Sequence, residues 1–217
     1  MEKEIISSII EAAGVIIAAI IATHGAKSIA KETTAKFRSY SDPNLDVQDL
    51  LGRAKNDVLL VFMIGDKFFD KYSFYIKRLM RRGITVHCLL LTKEMLLKSE
   101  EYISEDSDSP DFREKIRRKY EDTIELIRNL KQEFGQLFDC KESCLMMTAS
   151  YICIDFFPDP PNVYLPSSQI QAMIYQYNTK ASKMPITYLS PKADENVYLT
   201  THSSILNMWN DSSNLKL

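Results

Sequence analysis

Between residues 57 and 91 the apolar positions change period twice. "DVLLVFMI" (57–64) is a continuous apolar run of strand length, the pattern of a strand buried on both faces. Over 66–82 the apolar positions Phe69, Tyr72, Ile76, Leu79 and Met80 recur at helical spacing, Asp66 opens the segment, and Gly83 after "RR" stops it. "ITVHCLLL" (84–91) then returns to a continuous run. Strand, helix, glycine and strand in this order predict a βαβ unit, that is, a parallel pair with a right-handed crossover.

Further along, "KSEEYISEDSDSPD" (98–111) is acidic and polar and reads as an exposed loop. A long helix is expected over 111–138, with Phe112, Ile116, Tyr120, Ile124, Ile127, Leu130, Phe134 and Leu137 on one stripe. Strand-like runs follow at "CLMMTA" and "YICIDFF", then a loop at the proline-rich 158–166. Strands at 170–177 and 185–190 and a last helix over 193–209 complete the pattern, and there is no internal repeat. Residues 47–217 are thus expected to form one α/β domain, a mixed sheet flanked by helices. "SYSDPNLD" puts a linker at 39–46, where helical periodicity stops at Pro43.

The segment before the linker, 1–38, has a different character. From Ile5 to Ala22 there are 18 residues with one charge, Glu11, against the roughly 17–25 that a membrane span needs. On a helical wheel the isoleucines at 5, 6, 9, 10, 16, 17, 20 and 21 share one half, and Ser7, Ser8, Glu11, Ala12, Gly14, Ala18, Ala19 and Ala22, with Val15 among them, share the other. Gly14, Ala18 and Ala22 are spaced four apart, a ridge that lets helix backbones approach closely, with Glu11 in the same contact. The expectation is an apolar helix that anchors the chain, single-pass, with Lys27, Lys31, Lys36 and Arg38 holding the C-terminal domain on the cytosolic side. The competing reading is a soluble helix packed in a core or on a sister chain, which would leave the protein cytoplasmic.

Composition changes this picture little. A formal charge of −2 gives no footprint for nucleic acid. "REKIRRKYED" gathers Arg113, Lys115, Arg117, Arg118 and Lys119, but Glu114, Glu121 and Asp122 interleave and point to a solvated helix face. Cys88 and Cys153 lie in apolar strands, and Cys140 and Cys144 lack partners for a zinc site, so no metal and no cofactor is expected. Phosphate-loop, dinucleotide, zinc-protease and nucleophile-elbow motifs are absent.

The candidate chemistry lies in "TASYICID" (148–155). Its spacing resembles the His-x-Lys-x4-Asp strand of the phospholipase D superfamily, with Asp155 in place but Thr148 and Ser150 where that family has histidine and lysine. The strand–helix–strand over 57–91 is similar to the family's opening, and "YLTTHSSILNMWN" to its terminal helix; the likeness covers about 155 residues in one copy. The resemblance implies a phospholipase D-like fold. It also implies what is missing: a histidine nucleophile that attacks phosphorus, and a lysine that neutralises the phosphate oxygens. Neither Thr148 nor Ser150 supplies these. His24, His87 and His202 do not restore the motif and read as structural or surface residues. Thr148 and Ser150 project to one face of a strand, where their hydroxyls are placed to bond a phosphate or a nucleobase; with Asp155 they form the candidate site for a phosphate-containing ligand, and Asp155 reads equally as a turn or strand-end hydrogen bonder.

The expectation is therefore a membrane-tethered, catalytically inactive phospholipase D-like binding or signalling module. It would act as a homo-oligomer, as an effector or sensor in bacterial stress or anti-phage defence. Two alternatives stand beside it: a phosphodiesterase or nuclease built on other residues, such as His87, His202 and an acid, and a pore-forming effector acting through the N-terminal helix.

Overall fold

Strand Asp57–Phe62 is buried along its whole length because a layer of side chains covers each face of the sheet that contains it. The computed structural model describes residues 38–39, 46–103, 111–160, 163–176, 184–193 and 195–215, all within one compact unit, Ala35–Leu217. The N-terminal helix expected over 5–22, with Glu11, Gly14, Ala18 and Ala22, lies outside the described residues. Among the described residues no helix is long and apolar enough to cross a membrane.

The chain runs β1 (Arg38–Ser39), α1 (Val47–Gly52), β2 (Asp57–Phe62), α2 (Asp66–Arg81), β3 (Thr85–Leu91), α3 (Lys93–Ile103) and α4 (Phe112–Phe134). After a 3-10 turn it continues through β4 (Phe138–Ser143), β5 (Ala149–Ile154), β6 (Gln169–Ile174), β7 (Pro185–Leu189), α5 (Glu195–Asn210) and β8 (Ser213–Asn214). These strands form a mixed sheet in the order β1-β7-β6-β5-β2-β3-β4-β8. β2, β3 and β4 are parallel, and every other pairing is antiparallel.

The α/β class and the βαβ unit hold as expected. α2 buries Phe69, Tyr72, Ile76, Leu79 and Met80 and ends in a glycine stop. Gly83 takes φ 82°, its N–H donates to the Met80 carbonyl, and the Ile84 N–H reaches back to Leu79. On one side of the sheet α1, α2 and the C-terminal half of α4 cover Val58, Leu60, Val86, Cys88, Phe138 and Ile152. On the other, α3, α5 and the N-terminal half of α4 cover Leu59, Val61, Leu89, Cys153 and Ile170. Three expectations shift. "CLMMTA" is mostly connector, with Cys144 and Leu145 exposed; the strand lies earlier, at β4. Residues 98–103 are the end of α3 rather than loop. The first linker residue, Ser39, pairs with β7 together with Arg38.

The basic stretch on α4 is laced with acids. Glu114 accepts from Arg117 and Arg118, which pulls its carboxyl down to about 2. Lys119 pairs with Asp66 of α2 at 3.2 Å, and Lys93 of α3 with Glu121 at 3.1 Å.

Candidate functional site

β5 sits between β2 and β6, antiparallel to both. Its register, with Val61 opposite Tyr151, carries Thr148 beyond the C-terminal end of β2. Outside the carboxyl ends of parallel strands is where open α/β sheets bind ligands. Thr148 is exposed there, and its carbonyl accepts the Tyr175 N–H at 3.0 Å. Ser150 is buried, and its hydroxyl shares a hydrogen bond with the Tyr175 hydroxyl. Tyr175, one residue past the end of β6, thus closes over Ser150.

Asp155 is at the other end of β5. Seven residues at about 3.3 Å each separate it from Thr148 by roughly 23 Å. It takes φ 49°, a left-handed conformation that suits the short side chain of Asp. Its Oδ1 accepts from the N–H groups of Lys55 and Asn56, both at 2.8 Å, and Oδ2 accepts from the Ser167 hydroxyl. Its own N–H donates to the Asp57 carbonyl at 2.8 Å, and its carbonyl accepts from Ser168 at 2.9 Å. The structure brings Thr148 and Ser150 together with Tyr175 and leaves Asp155 apart, as a fastener of two strand ends.

A second set of titratable groups surrounds the residues that follow. Asp57 accepts the N–H of Phe156 at 2.8 Å and that of Phe157 at 3.3 Å; burial pushes its carboxyl up to about 6 against those two bonds, with Asp155 adding to the rise. His202 lies 2.8 Å through Nε2 from the Phe156 carbonyl and stacks on the Phe156 ring at 4.3 Å. His87 packs against Phe157 at 4.6 Å. Burial lowers the proton affinity of both imidazoles. Both histidines and an acid do gather around Phe156–Phe157, but His202 is buried with Nε2 committed to a backbone carbonyl, an arrangement that holds the chain rather than a substrate.

All four cysteines are free, three buried and Cys144 exposed. Among the described residues no three His, Cys, Asp or Glu side chains come together in a way that holds a metal ion. Sequence reasoning missed Tyr175, Asp57, Ser167 and Ser168. The available signal was weak: Asp57 as the one charge opening an apolar strand, and paired serines after Pro166.

No family model matches the chain, and no curated protein does. Among solved structures it is similar to TrmBL2, described as an archaeal chromatin protein with a novel mode of DNA binding. The two share 12% identity at a TM-score of 0.47, over 98% of this chain and 66% of that one.

Proposed function

We propose that this chain is a non-catalytic phospholipase D-like module that binds a phosphate-bearing ligand at the head of β5. In this reading residues 5–22 tether it to a membrane, with 47–217 on the cytosolic side, and it works as a homo-oligomeric effector or sensor. One observation carries the non-catalytic part: where the family motif has its lysine, the Ser150 hydroxyl is buried and occupied by Tyr175. Thr148 offers a hydroxyl to solvent at the end of the sheet where ligands bind, but an unactivated hydroxyl is a weak nucleophile, and no histidine stands beside it in the sequence motif. Asp155 supports the reading from the other side, because its carboxylate is spent on backbone amides.

The test uses the purified full-length protein and an activated phosphodiester in the absence of divalent metal. Turnover should not exceed that of a Thr148→Ala control. Calorimetric binding of inorganic phosphate should be weakened in the same variant. Robust hydrolysis that disappears with Thr148 would make the chain an enzyme and sink the proposal.

A further inference from the structure

α5 is seated on the sheet through a chain of rings. Its buried residues Tyr198, His202, Ile205 and Trp209 fall on one face. Near its last turn, Trp209 meets His87 edge-on at 5.3 Å and Phe157 at 5.8 Å, and His87 meets Phe157. The helix ends one residue later, at Asn210.

His87 is the member of this trio that can take a charge. It projects from β3, flanked in register by Leu59 on β2 and Asp139 on β4. Its Nδ1 is buried, and no polar group among the described residues reaches it. β4 presents Asp139 and Lys141. α5 presents the Trp209 indole, and the chain after β5 presents Phe157, whose N–H is held by the Asp57 carboxylate on β2. The Lys141 ammonium already lies over the Trp209 ring at 4.5 Å and donates to the Trp209 carbonyl at 3.0 Å. A proton on Nδ1 would therefore make a second cation at this corner, with a donor that has no acceptor among rings.

We propose that the His87–Phe157–Trp209 contact is a proton-operated latch, in which charging His87 releases the C-terminal end of α5 from the sheet and uncovers the apolar layer beneath it. Burial holds the imidazole below its ordinary 6.5, Asp139 opposes that shift, and Lys141 adds to it. A depressed imidazole contributes packing that is fully present above 6.5 and lost as pH falls through the folded-state value. His202 is lowered by burial and acts in the same direction, whereas Asp57, raised, acts in the opposite one. Substitution at His87 separates its part from theirs.

Trp209 is the single tryptophan of the chain, so its accessibility to acrylamide reports this contact. In the full-length protein the quenching constant should rise about twofold or more as pH falls from about 8 to about 5, the window in which imidazoles titrate. His87→Phe and His87→Gln should abolish the rise. Circular dichroism near neutral pH shows which of the two is folded, and Gln keeps a polar group of similar size should Phe fail. Asp139→Asn should move the midpoint to lower pH, a shift that a purely packing role for His87 would not produce. The same rise and midpoint in the His87 variants, no rise in the parent protein, or an unmoved midpoint in Asp139→Asn would each overturn the latch.

Discussion

Asp155 and Lys55, a hundred residues apart in the chain, are joined by a hydrogen bond of 2.8 Å from the Lys55 N–H to the Asp155 carboxylate. The same oxygen holds Asn56, so the exit of β5 is clamped to the entry of β2. Removing the carboxylate leaves two amides without their acceptor at a part-buried site. Asp155→Ala should cost about 2–4 kcal/mol by urea unfolding. Asp155→Asn, which keeps one acceptor oxygen, should cost less. Little or no loss in Asp155→Ala would mean that the carboxylate is not the clamp.

The hydroxyl pair Ser150–Tyr175 makes a second, independent prediction. Tyr175→Phe strands the buried Ser150 hydroxyl and should destabilise by about 1–3 kcal/mol. Ser150→Ala in the same protein should recover part of that loss, because both partners are then apolar. A double-mutant cycle with no coupling would remove the hydrogen bond from the account.

Asp57 sets a pH dependence whose sign can be worked out. Its folded-state value, about 6, lies above the ordinary 3.8. The folded chain therefore holds the proton more tightly, and this contribution, present below 3.8, is lost as pH rises through about 6. Two units correspond to on the order of 3 kcal/mol. Asp57→Asn should remove a loss of about that size between pH 4 and pH 7, measured as the difference in unfolding midpoint between variant and parent. His87 and His202 work against it at the upper end of the window and are common to both proteins.

Two glycines in the left-handed region should respond unequally to alanine. At Gly65, φ 79°, an added Cβ would lie 3.1 Å from the Phe62 ring and 3.2 Å from the Phe69 ring. At Gly83, φ 82°, nothing lies within 4 Å. Gly83→Ala should show backbone strain alone, about 1–2 kcal/mol. Gly65→Ala should cost more, because the ring cluster of Phe62, Phe68 and Phe69 must also give way. Equal melting-temperature shifts would mean that the rings yield freely.

The tether is tested by charge. Ile16→Lys with Ile20→Lys should move the full-length protein into the soluble fraction, since each cation at the centre of a span costs about 2.5–3.5 kcal/mol. Gly14→Ile should instead weaken self-association in detergent and leave membrane partition intact. If deletion of residues 1–23 left membrane association unchanged, these residues would not be the anchor.

The legible parts of the fold were those where one physical pattern dominates. β2 reads clearly because burial on both faces leaves no polar position in the strand except Asp57, β3 because it closes on four successive buried apolar residues, Cys88, Leu89, Leu90 and Leu91, and α2 because its apolar stripe ends at Gly83. β4 was hidden. "FDCKES" alternates polar and apolar, and the β8 edge that covers it pairs through Lys141 and Glu142 only. "CLMMT" misled in the other direction, since of its apolar residues only Met147 is buried. The end of α3 is hard to see in the sequence because its core-facing apolar residues, Met95, Leu96 and Leu97, all lie in its first half, ahead of the polar KSEE. At the candidate site the spacing Thr148, Ser150, Asp155 was visible, whereas Tyr175 was not. Its contact with Ser150 crosses between strands 25 residues apart, and no local period encodes such a pairing.

α4 belongs to both layers of the molecule. Phe112, Ile116 and Tyr120 pack on one side of the sheet, Ile127 and Leu130 on the other, and Ile124 touches both. A helix of 23 residues is about 35 Å long, so this one rod carries side chains needed by two otherwise separate cores. Neither core can melt while the other keeps its complement of contacts. Cooperativity across the sheet is thereby wired through a single element: amides on α1 and on α3, which share no layer, should exchange with the same global opening free energy once local fraying is passed.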